Sequence, residues 1–361
     1  MMGKMRRIYT IDYLRGILAL SVVLYHFSGW TYGGGQDVST LLGKLGIYAV
    51  CAFFTVSGIS IYLSYSNCIW NKRTIIGFGA RRFFRLAPAY WVAMFLVILS
   101  QVIASSNYKP MWFEYFNNIT LLFGYFDITG YLVTGGWSIG VEVVFYLLFP
   151  FTVILFRNKI GMYAVIAISI SLCCLFSFFI INKDMSGGDV WRYYINPFNQ
   201  YILFVGGMLI AKYHYIVKRG MSNNLILLGA SIMTLLFCFY PVEGHWIEIV
   251  TGWNRILLIS IVLMIVLFVA SVDFPPKNIF GKVFEFLGDI SYSLYLLHGV
   301  LYEISKYIFH KFFLKYYDIN IVLFSFFLVL PIVILCSFFC YKNIEIRFIR
   351  WAKKMTTIDR F

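Results

Sequence analysis

From Ile8 to Cys340 the chain is a succession of apolar stretches about 20 residues long, joined by short polar connections. As a helix, a run of that length matches the ~30 Å hydrocarbon core of a bilayer. There, only helices and closed barrels satisfy their own backbone groups. Ten such segments can be read, at 8–28, 46–66, 87–106, 137–156, 161–181, 198–214, 224–241, 254–271, 290–309 and 320–340. At 61% hydrophobic and 13% charged, the chain has too little polar surface for a dissolved protein of 361 residues. The expected fold is an all-α integral membrane protein with about ten transmembrane helices.

The net charge of +14 needs no nucleic acid to explain it. With the N-terminus placed in the cytoplasm, 21 of the 30 Lys and Arg fall in cytoplasmic segments, a bias that puts both termini inside. Residues 1–341 then form one polytopic domain and 342–361 a basic cytoplasmic tail, with no internal repeat and no soluble appendage expected. The seven cysteines show no CxxC and no Cys/His spacing suited to a metal, so no metal site is expected. No cleavable signal peptide is evident. The connection from Asn107 to Gly136 is rich in aromatics, which suits an interfacial belt or a segment folded back into the bundle.

Several polar residues interrupt this pattern. In DYLRGILALSVVLYHF, Arg15 and His26 are eleven residues apart, about 20° past three full turns, and so share a face roughly 16 Å apart along the axis. An intramembrane charge is costly and usually lines a polar cavity, although Arg15 snorkelling to the cytoplasm and His26 at the opposite headgroups fit the same spacing. In WSIGVEVVFY, Ser138, Glu142 and Tyr146 follow at i, i+4, i+8 on one face. Glu142 lies at a depth similar to that of His26, so the two are expected to meet, as an oriented base or as a structural ion pair. Before the third span, GARRFFRLAPAYW carries Arg82 and Arg85 at i, i+3, with Arg81 as a third guanidinium and Pro88 at an apparent helix start. Arginine forks suit phosphate oxygens, and the same cluster suits a positive-inside anchor. The ninth span places Ser291, Tyr295 and His298 near one face, where His298 is expected to be neutral and bonded to a helix neighbour. Ser57 and Gly58 read as close helix packing.

Together, IDYLRG, FFTVSG, RRFFRLAPAYW, WSIGVEVVFY and LGDISYSLYLLH resemble, in order and over most of the chain, the membrane-bound acyltransferase family 3. That family comprises bacterial transacylases of cell-surface glycans. The resemblance implies that His26 is the essential histidine, Arg15 its paired arginine, Arg82 and Arg85 the acyl-CoA-side arginines, and Glu142 the acidic position of the Trp-Ser motif. Many relatives continue into an esterase-like domain, so transfer here is expected to be completed by the membrane domain alone.

The implied function is a membrane O-acetyltransferase of the bacterial cytoplasmic membrane. It would move an acyl group, acetyl by resemblance, from cytoplasmic acetyl-CoA to a hydroxyl of an extracytoplasmic or lipid-linked glycan such as O-antigen. Acetyl-CoA is a co-substrate and no permanently bound cofactor is expected; membrane lipid and the glycan are the other partners. Arg82, Arg85 and Arg15 would hold the phosphates, and His26, held by Glu142, would take the hydroxyl proton. Ser138, Tyr146, Tyr295 or His298 would stabilise the oxyanion, and Asp12 is a further residue in a supporting, oxyanion or acceptor role. Direct transfer and a covalent acyl-enzyme both fit. A transporter or flippase is the alternative class, and a His26–Glu142 pH sensor a third.

Overall fold

Helices begin where a short polar side chain precedes an apolar run. Thr40 accepts the Gly43 N–H at 3.0 Å, Asn71 that of Thr74 at 2.8 Å, Asn158 that of Gly161 at 2.7 Å, and Asn278 that of Gly281 at 2.8 Å. Each bond satisfies a donor that the first helical turn leaves open. The computed structural model describes residues 7–32, 37–104, 111–309, 311, 322 and 324–356, and contains no strand among them. In chain order the helices are α1 (Tyr9–Tyr32), α2 (Leu41–Tyr65), α3 (Lys72–Ile103), α4 (Trp112–Thr120), α5 (Phe123–Phe126), α6 (Trp137–Leu155) and α7 (Lys159–Leu175). They continue with α8 (Gly187–Tyr194), α9 (Pro197–Gly220), α10 (Asn223–Cys238), α11 (Gly252–Ser271), α12 (Ile279–Ile308), α13 (Leu330–Cys340) and α14 (Ile346–Met355).

Each of the ten apolar segments falls on a helix as far as it is described. Among the described residues, six helical stretches are long and apolar enough to cross a membrane: Leu41–Tyr65, Lys72–Ile103, Trp137–Leu155, Lys159–Ile180, Gly252–Ser271 and Phe324–Met355. The polar interruptions singled out above fall on α1, α2, α3, α6 and α12, helices that pack on one another. In the bundle α1 packs against α12 and α2, and α2 against α9. Of the apolar helices, α2 and α6 are mostly buried inside the bundle, while α7 and the last apolar segment turn most of their surface outward.

Two expectations about boundaries change. Pro88 lies inside α3, which starts sixteen residues earlier at Lys72, so Arg81, Arg82 and Arg85 are helical rather than part of a loop. A proline removes one i to i−4 bond but need not end a helix whose flanks are packed. Residues 342–355, within the segment read as a basic cytoplasmic tail, are helical and continuous with the last apolar segment. Their docking onto α3 is fixed by Arg81, which donates to Thr356 Oγ1 and to the Thr356 carbonyl, both at 2.7 Å. Arg81 therefore leaves the arginine cluster. Lys4, Arg6 and the residues beyond 356 lie outside the described residues.

The aromatic connection folds back onto the bundle. Asn118, fully buried, accepts from the Tyr90 hydroxyl at 2.5 Å and from Leu132 N at 3.0 Å, and donates to the carbonyls of Glu114 and Gly130. Trp112 and Tyr125 remain exposed.

Two buried cations serve the fold. Lys44 donates to the Cys238 and Tyr240 carbonyls at 2.9 and 2.8 Å, at the end of α10. Arg255 donates to Asn199 Oδ1 at 2.9 Å and lies over the Tyr194 ring at 5.3 Å.

The α1–α12 crossing sets the site, and it is made backbone to backbone. A Cβ at Gly288 would lie 2.2 Å from the Asp12 carbonyl oxygen. Gly288→Leu should therefore push α1 from α12 and cost on the order of 1–3 kcal/mol, lowering the thermal unfolding temperature in detergent. An unchanged midpoint would show that the crossing tolerates separation.

Candidate active site

The first element of the site is a narrow slot of about 80 Å3 among α1, α2, α3, α6 and α12. Arg15, Arg82 and Arg85 line it together with Glu142. On α1, Arg15 Nη2 donates to Ser291 Oγ at 3.0 Å, and Nη1 lies 3.4 Å from Asp12 Oδ1. Asp12 also takes Arg7 Nε at 2.5 Å, and Arg7 reaches Glu285 at 3.1 Å and Asp289 at 2.7 Å. Asp12 thus bridges Arg7 and Arg15 beside the slot.

Arg82 is held by aromatic faces. Its guanidinium lies 5.0 Å from the Tyr65 ring centroid, 5.8 Å from Phe78 and 5.7 Å from Tyr146. Its Nε is buried with no hydrogen-bond partner among the described residues. A cation stacked on rings keeps donors available for an anion instead of spending them on a carboxylate.

Ser138, Glu142 and Tyr146 do share a face, and all three line this slot. Their partners differ from expectation. Glu142 Oε1 accepts from Ser57 Oγ at 2.5 Å and from the Tyr146 hydroxyl. No His26–Glu142 hydrogen bond or ion pair is found; the carboxylate belongs to the arginine slot. Equal depth does not make two residues meet, because depth says nothing of how each helix is turned about its axis. Ser57, read as packing, is thus a partner of Glu142, while Gly58 does pack, its Cβ position lying 2.2 Å from the Phe204 carbonyl oxygen. Ser60 and Tyr292 also line the slot unforeseen. The serine stripe Ser57, Ser60 and Ser64, at i, i+3, i+7 on an apolar helix, was the signal for the first two.

His26 opens onto a second chamber of about 540 Å3 with Trp30, Tyr131, Trp137, Trp191 and Trp246. Its ring stacks at 4.9 Å on Trp30 and at 5.2 Å on His298. His298 is fully buried, and its Nδ1 lies 2.6 Å from the Tyr295 carbonyl, as expected for a neutral histidine bonded to a helix neighbour. That bond makes Nδ1 the protonated nitrogen and leaves Nε2 as an acceptor with no partner among the described residues. His298 lines neither cavity itself and meets the chamber through its stack on His26.

Tyr295 and Val50 line both cavities and form the wall between them. The Tyr295 hydroxyl donates to the Gly135 carbonyl at 2.8 Å and accepts from Ser138 Oγ at 3.0 Å. Gly135 has φ +77°, open to glycine, and a Cβ there would meet the tyrosine hydroxyl at 2.7 Å. The two chambers therefore share a polar partition of Tyr295, Ser138 and a backbone carbonyl. Chemically, one side offers three guanidinium groups to an anion, and the other an imidazole in an aromatic, uncharged space. No group of three or more His, Cys, Asp or Glu suited to a metal occurs among the described residues.

Comparison with known proteins gives this arrangement a context. The chain is 25% identical over 326 residues to the peptidoglycan O-acetyltransferase OatA of Listeria monocytogenes, covering 80% of this chain and 48% of that protein. It is 26% identical over 387 aligned positions to a putative O-acetyltransferase of Staphylococcus aureus strain COL, covering 96% of this chain and 58% of the relative. With the O-acetyltransferase OatA of Staphylococcus aureus the figures are 24% identity, 80% and 49%. The chain thus spans about half the length of the curated relatives it matches. A family model described as an acyltransferase domain matches residues 8–342, from the start of α1 to beyond α13, and so takes in every wall of both cavities. On that match, the chain belongs to the acyltransferase 3 family.

Proposed function

We propose that the chain is a membrane O-acetyltransferase that takes acetyl from acetyl-CoA at the arginine slot and delivers it to a glycan hydroxyl at the histidine chamber. The observation that carries this reading is the pair of chemically opposite cavities divided by Tyr295. A phosphorylated donor and an uncharged acceptor need such different surroundings, and a reaction between them needs a common wall. Acetyl-CoA phosphates would lie against Arg82, Arg85 and Arg15, whose donors suit phosphate oxygens. Glu142 supplies counter-charge within the slot, and Ser57 and Tyr146 hold its carboxylate in place. The pantetheine arm would run along α1 toward the partition, which must part to admit the thioester.

At the junction an imidazole nitrogen of His26 takes the proton of the acceptor hydroxyl as its oxygen attacks the thioester carbonyl. A C–O bond forms, the C–S bond breaks, and the CoA thiolate leaves, recovering the proton from the imidazolium. The Tyr295 hydroxyl, redirected from the Gly135 carbonyl, would donate to the oxyanion together with Ser138. His26 is oriented in this scheme by Trp30 and His298 and not by Glu142. The glycan side would face away from the cytoplasm, with the donor side and both termini facing it.

The test is thiol release from acetyl-CoA by the purified chain in lipid, with and without added glycan. Release that depends on the glycan supports the transferase. Glycan moving across the bilayer with no thiol released would sink it in favour of transport. With acceptor omitted, radiolabelled acetyl retained on the protein would assign a covalent acyl-enzyme in place of direct transfer.

A further inference from the structure

We infer that the histidine chamber is a saccharide subsite for a neutral pyranose ring, stacked on one of the two mutually perpendicular indoles Trp191, from α8, and Trp246, from the short helical turn Trp246–Ile249, and edged by the other. This deepens the transferase proposal and rests on it for the reacting hydroxyl.

Three observations converge. The first is the absence of charge: apart from the His26 imidazole, no residue lining the chamber among the described residues is ionisable to a cation or carboxylate. The arginine slot one wall away has three guanidinium groups. A phosphate, uronate or sialate ring would enter the chamber with no cationic side chain beside it to offset the loss of its hydration.

The second is aromatic geometry. Trp191 stands edge-to-face to Trp137 at 5.5 Å and to Trp246 at 5.7 Å, and its Nε1 donates to the Tyr131 hydroxyl at 3.2 Å. Indoles packed only for stability would fill this space. Here Trp191 and Trp246 are half-buried and border an open volume of about 540 Å3, in the range of small-molecule sites. Indole faces are electron-rich, and the C–H face of a pyranose is weakly positive, so the two stack.

The third is the rim. Tyr25, Tyr131, Thr134 and Tyr295 bring hydroxyl groups to an otherwise apolar wall, suited to a ligand with an apolar face and a hydroxylated edge. An acyl tail would use aliphatic walls and none of these hydroxyls. With the ring on one indole, one of its hydroxyls is brought to His26.

The experiment measures saccharide affinity of the full chain in detergent by saturation-transfer NMR, and acetyl-CoA affinity by calorimetry. The probes are methyl glucoside, methyl N-acetylglucosaminide and methyl glucuronide, the last differing from the first only at C6. The neutral glycosides should bind, and the glucuronide at least about tenfold more weakly. Trp191→Ala and Trp246→Ala should each weaken neutral binding about tenfold, with Trp191→Phe retaining most of it. Acetyl-CoA affinity should be unchanged in all variants, which also reports that they fold. Absence of neutral binding to the wild type, equal binding of glucuronide, or unaltered binding in both alanine variants would overturn the subsite. A wild type that binds neutral glycosides but releases no thiol would remove the transferase proposal and leave the subsite standing. Normal turnover with an acceptor KM unmoved by either alanine variant would remove the subsite alone.

Discussion

Replacing His26 with alanine is expected to lower acceptor-dependent thiol release by about 10²- to 10⁴-fold, the usual worth of a positioned general base, while acetyl-CoA affinity stays within twofold. The separation of the two effects follows from the partition. His26 borders the aromatic chamber, whereas the arginines that would hold the donor border the slot on the other side of Tyr295. A histidine placed to grip the donor would move both quantities together. Glu142→Gln sharpens the point, because the Glu142 carboxylate bonds Ser57 and Tyr146 and not the imidazole. That variant should change donor affinity and leave the pH profile of turnover in place. A profile shifted in Glu142→Gln would restore the direct pairing of carboxylate and imidazole. Turnover within a few-fold of wild type in His26→Ala, with the protein folded, would remove the general base from the scheme.

Much of this site was legible before any coordinates because helical spacing is a strong constraint along one helix. Ser138, Glu142 and Tyr146 recur at four-residue intervals, and four residues is nearly one turn, so they had to share a face. The arginine pair Arg82 and Arg85 was legible for the same reason. What spacing cannot carry is rotation between helices. His26 and Glu142 sit on different elements, and the rotation of α1 and α6 about their own axes decides whether side chains at equal depth converge or pass. Ser57 shows the converse: an apparently unremarkable serine becomes the partner of Glu142 only through the α2–α6 contact.

Helix starts were misread where composition stood in for geometry. The cap Asn71 sets the true start of α3 and went unread, while Pro88, sixteen residues past that start, suggested one that does not occur. The basic run after Lys342 looks solvated by charge, yet its apolar residues recur at helical spacing and seat the segment against α3. Trp191 and Trp246 lie in short connecting elements with no period to follow, and only the folded chain brings them to the cavity that His26 lines.

Removing the Arg85 guanidinium should raise the KM for acetyl-CoA about 10- to 100-fold, the loss of one charge-assisted phosphate contact, with a smaller change in the acceptor KM. Arg82 makes the sharper case, because its guanidinium is carried on the rings of Tyr65, Phe78 and Tyr146 with a buried donor still open. Lysine lacks both the planar stack and the fork, so Arg82→Lys should recover little of what Arg82→Ala loses. The decisive control is acetyl-pantetheine, which presents the same thioester without the nucleotide phosphates. Wild type should use it poorly, and Arg85→Ala should use it no worse than wild type, since the contact removed is one this donor never makes. Equal penalties on both donors would mean that Arg85 supports the fold or the chemistry and does not read phosphate. A raised acceptor KM with an unmoved acetyl-CoA KM would reverse the assignment of the two cavities.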